Sequence, residues 1–241
     1  MSTEQKPMRA SRFINFETGK VELAPTQLER AQSDEKWTIK QKIDYFQCRV
    51  EIWQIAPAVE MLKMIEATKA TTNEPTPAWC HSAYGLVFIL APYFEMIGKI
   101  LRPGSSQWKG GDKDFIEGFR HIYPYSPFLN SHLADENADP RDPMGQIGEI
   151  CDLMRNGLFH LGFTKKNFFI HNRPERFEND FEYHLEPIDE KYAAELYYLN
   201  PHALTRTIVD HFGRFIEELR KDTALHANFV KFIDDFHKPR R

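Results

Sequence analysis

Residues 200–221 read NPHALTRTIVDHFGRFIEELRK. Asn200 can accept hydrogen bonds from the first free backbone amides of a helix, and Pro201 suits its first position, where no N–H is needed. Leu204, Ile208, Phe212, Phe215 and Leu219 then recur every three or four residues, which puts them on one stripe of a helix. A stripe of this kind must be buried against something. The rest of the chain offers mainly further helical stripes for it to meet.

Downstream, Thr223 is the expected cap of a final helix carrying Phe229, Phe232, Ile233 and Phe236, before the basic tail HKPRR. Upstream, Ser33 with Asp34 and Glu35 signals a helix start, and Ile39, Ile43, Phe46, Val50 and Trp53 follow at helical spacing. Pro57 is expected to break or kink that helix before it continues to about residue 69. A second long helix is expected over about 78–101, with Pro92 inside it, and a shorter one from Asp112 or Asp114 through Ile122. Residues 123–143 are rich in Pro and Asp and read as an irregular excursion. Another helix is expected over about 144–161.

Three stretches read as strands. RFINFETGKVEL (12–23) fits a hairpin turning at Thr18-Gly19, or else an arm without regular structure. NFFIH (167–171) and FEYHL (181–185) fit two strands of one hairpin. The expected fold is mostly all-α: a bundle of five to seven helices with a small β-hairpin appendage, with residues 1–34 as an N-terminal arm and 35–238 as the helical domain.

Composition sets the class. At 241 residues the chain can bury a core without staples, and its 19 Phe predict an aromatic one. The net charge of −4 argues against wrapping nucleic acid over the whole surface, though it leaves room for a local basic site. Cys48, Cys80 and Cys151 are scattered, with no Cys-x-x-Cys pair, as expected for reduced thiols in a cytoplasmic protein without a zinc ribbon. The N-terminus lacks the apolar run of a signal peptide. YGLVFILAP (84–92) is the most apolar stretch and is too short by itself to cross a bilayer, so no membrane association is expected.

The sharpest chemical feature is CDLMRNGLFHLGF (151–163). Arg155-Asn156-Gly157-Leu158-Phe159-His160 resembles the signature of the HEPN superfamily, an arginine followed by a polar residue and then by a histidine four to six residues further on. Two other arginine–histidine pairs share the spacing, Arg206 to His211 and Arg220 to His226, but neither has Asn, Asp or His after the arginine. YFEMIGKIL (93–101) is also similar to an early helix of such chains, and the likeness spans about 78–220.

The resemblance implies a helical bundle, commonly dimeric, in which two copies of the motif share one cleft. It implies metal-independent endoribonuclease activity, with toxins and phage-defence effectors among its members, no cofactor, single-stranded RNA as substrate, and an antitoxin protein as a possible partner class. Arg155, Asn156 and His160 would be the catalytic residues. His160 can act as base or acid near neutrality, Arg155 can clamp a phosphate through two parallel bonds, and Asn156 can orient either. The product would carry a 2′,3′-cyclic phosphate.

Lys165 and Lys166, with Arg173 and Arg176 beyond them, are interleaved with Phe163, Phe168 and Phe169. This mixture suits a single-stranded RNA groove, but it suits better a solvated hairpin that covers the core with its phenylalanines. The rival readings of the whole chain are a non-catalytic HEPN-like module binding RNA, a nucleotide or a protein, and a helical scaffold with no active site. His132 with Asp135, Glu136, Asp139 and Asp142 lacks the spacing of a calcium loop and reads as a solvated acidic segment.

Overall fold

The computed structural model describes residues 12–15, 20–23, 37–71, 77–102, 111–125, 146–154, 168–170, 180–187 and 193–237. The fold is predominantly helical. In chain order it comprises β1 (Arg12–Asn15), β2 (Lys20–Leu23), α1 (Ile39–Val50), a π-helical turn (Glu51–Ile55), α2 (Ala56–Thr71), α3 (Pro77–Leu101) and α4 (Gly111–Ile122). There follow α5 (Gln146–Ile150), β3 (Phe168–Ile170), β4 (Phe181–Pro187), β5 (Ala193–Leu199), α6 (Pro201–Lys221) and α7 (Thr223–His237).

The helix starts follow local chemistry, with two shifts from expectation. Asn200 caps α6 as expected, its side chain accepting from the amides of His202 at 3.0 Å and Ala203 at 3.3 Å. The helix holding Ile43 and Phe46 begins at Ile39, and Ser33, its expected start, lies outside the described residues. Thr38 and Gln41 form a reciprocal capping box there, satisfying two orphan donors at once. The last helix starts at Thr223, but its cap is Asp222, whose carboxylate accepts from the amide of Ala224 at 2.8 Å. A carboxylate beside the positive end of a helix is also electrostatically favoured.

Pro57 does not break the chain's first long helical stretch. The π-helical turn lies immediately before α2, so the wider turn takes up the missing N–H and the bulk of the ring. α3 likewise runs on through Pro92.

α3 is the core helix. Leu86, Val87, Leu90, Tyr93, Phe94, Ile97 and Ile100 are all fully buried along it. The apolar run is longer than the 84–92 stretch suggests. Ser82–Leu101 is long and apolar enough to cross a membrane, yet half of it is buried inside the protein, where α4, α6 and α7 pack against it. α3 and α4 meet backbone to backbone. A β-carbon placed on Gly98 would lie 1.7 Å from the carbonyl oxygen of Asp114, and one on Gly118 would lie 1.8 Å from that of Phe94. The two glycines therefore allow a crossing that no larger residue permits. Around it Phe94 lies against Phe115 and Phe119, with ring centroids 5.0 and 5.2 Å apart.

Among the described residues, two small sheets accompany the bundle. β1 and β2 pair antiparallel with Asn15 opposite Lys20, whereas a two-residue turn at Thr18-Gly19 would set Glu17 opposite Lys20; Thr18 and Gly19 themselves lie outside the described residues. The second sheet departs from expectation. β3 and β4 do not pair with each other; β5, which the sequence pattern does not announce, lies between them, parallel to β3 and antiparallel to β4. Its inward row, Phe168 and Phe181 with Tyr197, joins the core.

Candidate functional site

The motif residues Arg155, Asn156 and His160, and the cations Lys165 and Lys166, lie outside the described residues. What leads into them is described. α5 and the π-helical turn at 151–154 bury Ile147, Ile150, Cys151 and Met154, a three- and four-residue spacing that fixes one face against the core. Two polar contacts tie the segment to its neighbours, and a third lies between those neighbours themselves. The Tyr197 hydroxyl of β5 donates to Glu149, the Cys151 thiol lies 3.9 Å from a carboxylate oxygen of Asp112, and the fully buried Asp114 pairs with Arg102. The segment entering the motif is thus tied to both α4 and the three-stranded sheet.

After the cationic segment, the two phenylalanines of β3 part. Phe168 is buried, and Phe169 is 41% exposed and stacks on its cross-strand partner Tyr198 at 5.4 Å. Glu182 lies opposite Tyr198 on the other side. Phe168 therefore serves the core, and Phe169 alone of this pair presents an aromatic face outward.

The two competing arginine–histidine pairs have packing roles. Arg206 is exposed on α6 near the Asp180 carboxyl, which accepts from Tyr123 and Thr207. Burial raises the pKa of that carboxyl, against the lowering effect of these bonds and of Arg206. His211, at the other end of this pair, is buried. Five residues turn a helix by about 140° from the starting direction, so the two side chains leave different faces. Arg220 donates to Gln47 at 2.8 Å, whereas His226 reaches back to the carbonyl of Leu219 at 2.7 Å. His226 is half-buried because it satisfies one of the free carbonyls at the end of α6.

His211 belongs to a chain of polar groups that sequence reading missed. Its Nδ1 lies 2.7 Å from the Tyr93 hydroxyl of α3, and its Nε2 lies 2.9 Å from Nδ1 of His121 on α4. The other nitrogen of His121 faces Glu218 of α6 at 3.7 Å. Desolvation pushes the His211 pKa down to about 3, reinforced by His121 and Arg214. Burial raises the Tyr93 hydroxyl well above its ordinary range. Both groups are therefore neutral across the physiological range. The members lie 90 and 118 residues apart along the chain, so no local spacing could have announced them.

Among the described residues no group of three His, Cys, Asp or Glu side chains is arranged to hold a metal ion. Comparison with protein-family models, curated proteins and solved structures finds no match to this chain.

Proposed function

We propose that the chain is a metal-independent endoribonuclease of HEPN type, acting in the cytoplasm on single-stranded RNA as a homodimer, in the manner of a toxin or phage-defence effector held in check by an antitoxin protein. The observation that carries the reading is the string Arg155-Asn156-Gly157-Leu158-Phe159-His160 directly after a helix anchored in a helical bundle. Two further observations support it. The rival arginine–histidine pairs have their own partners in the packing, and Phe169 offers an outward ring a short way beyond Lys165 and Lys166.

Cleavage requires a base on the 2′-hydroxyl, an acid on the leaving oxygen, and a cation on the pentavalent phosphorane. One Arg155–His160 pair supplies too few groups for all three; two pairs meeting about a two-fold axis supply them. The interface would bury roughly 1,200 Å² or more in total.

The test is RNA cleavage by the parent in the presence of a chelator, alongside the His160→Ala and Arg155→Ala variants. A general acid–base group contributes about 10²- to 10⁴-fold to rate, so each variant should fall to background while keeping its circular dichroism spectrum. A His160→Ala variant that cuts RNA like the parent overturns the enzyme. A parent that binds RNA without cutting it selects the non-catalytic module instead.

A further inference from the structure

We propose that Tyr93, His211, His121 and Glu218 form an acid-sensitive latch that holds α3, α4 and α6 together while the histidine pair is neutral and lets them part when it gains a proton. The latch rests on the bundle and not on the ribonuclease reading.

The hydrogen-bond roles follow from one another. Tyr93 can donate its hydroxyl proton to Nδ1 of His211 across 2.7 Å. His211 then carries its proton on Nε2 and donates to Nδ1 of His121 across 2.9 Å. His121 in turn carries its proton on Nε2, facing the Glu218 carboxylate at 3.7 Å. Each ring nitrogen is used once, and the direction of every bond is fixed by the one before it. The chain spans three helices and runs from the fully buried Tyr93 to the half-exposed Glu218.

An added proton has no place in this arrangement. On His121 it would point Nδ1–H at the Nε2–H of His211, setting two donors against each other. On His211 it would point Nδ1–H at the tyrosine hydroxyl proton and place a cation in the core. Reversing the chain relieves the first clash, but it turns the Tyr93 hydroxyl proton away from His211 in a site with no solvent exposure.

The surroundings do not offset the charge. Phe215 stacks on the His211 ring at 5.8 Å, and Arg214 on the same helix adds a like charge. Glu218 is the acid of the cluster, and it faces His121 rather than His211. Among the described residues, Glu66 of α2 is engaged with His202, Asp44 of α1 with Arg220, and His226 of α7 with the Leu219 carbonyl.

The full-length chain is titrated from pH 8 to pH 4, with unfolding measured in urea at each step. One extra proton bound on opening makes the unfolding equilibrium constant rise by up to about tenfold per pH unit. His211→Gln should lose that component, and His226→Gln should keep it. If His211→Gln retains the parent's full pH slope, the latch is wrong. Should that variant fail to fold, nitrogen chemical shifts of the parent decide: the latch requires His211 to remain a neutral Nε2–H tautomer at pH 5 in the folded state. A folded protein with His211 protonated at that pH overturns it.

Discussion

Replacing Gly98 by alanine tests the close crossing of α3 and α4 directly. The new methyl would stand 1.7 Å from the Asp114 carbonyl oxygen and 2.9 Å from the Gly118 nitrogen. An ordinary carbon–oxygen approach is about 3.3 Å, so the helices must part by roughly 1.6 Å along that contact. No rotamer change relieves the overlap, because both opposing atoms are backbone. Separation would also loosen Phe94 from Phe115 and Phe119, which fill the space around the crossing. Overpacking a well-filled site costs about 1–3 kcal/mol even when side chains can yield. With two backbones opposed, the loss should reach or exceed about 3 kcal/mol, after allowing about 1 kcal/mol gained in helix propensity. At about 2–4 °C per kcal/mol for a chain of this size, the melting temperature should drop by roughly 6–12 °C. Gly213→Ala is the internal control. It is exposed in α6 with no atom within 4 Å of the added carbon, and it should stabilise by about 0.5–1 kcal/mol. Urea denaturation followed by circular dichroism measures both. A Gly98→Ala variant within 1 kcal/mol of the parent, a band set by the usual cost of overpacking, would refute the crossing.

Asn200→Ala removes the buried cap of α6 and should cost about 1–2 kcal/mol in the same denaturation assay, while Asn200→Asp should recover most of it. Stability should also fall in acid through His211. The unfolded chain takes up this proton below about pH 6.5, whereas the folded chain does so only near 3. The contribution is therefore complete above 6.5 and is lost progressively as the pH falls towards 3, to a total of about 5 kcal/mol. RNA cleavage by the parent should survive chelation and disappear in His160→Ala; restoration by magnesium or manganese after chelation would point to a different mechanism.

The features legible in the sequence are those whose causes are local. α6 is the clearest case: its cap, its first-position proline and its apolar spacing all lie within residues 200–221, and each has the role its chemistry predicts. Pro57 shows the limit of local reading. A proline lacks the amide for the fourth carbonyl back, which predicts a break. Opening the preceding turn to a wider helix supplies the same relief without ending the element. β5 was missed because AAELYYL carries little alternation, and a strand paired on both sides is specified by its neighbours more than by its own pattern. The expected pairing of β3 with β4 failed for the same reason, since the gap between them is spanned by a third strand.

The glycine crossing and the histidine chain were invisible for a different physical reason. A single glycine inside a helical pattern costs stability, and this hints at a packing role, but only the fold says which helix comes close enough to need it. Gly98 and Gly118 make sense as a pair, each facing the carbonyl four residues before the other. Tyr93, His121 and His211 are likewise unremarkable singly, each sitting in its own amphipathic segment. Both features lie on α3 and α4, one on either side of Phe94 and Phe119, so the close approach of the two backbones is what brings His121 within reach of α6. Widening the crossing by roughly 1.6 Å should therefore strain the 2.9 Å bond between His121 and His211 as well. It follows that Gly98→Ala should lose part of the acid dependence carried by His211, and that His211→Gln and Gly98→Ala should be less than additive when combined.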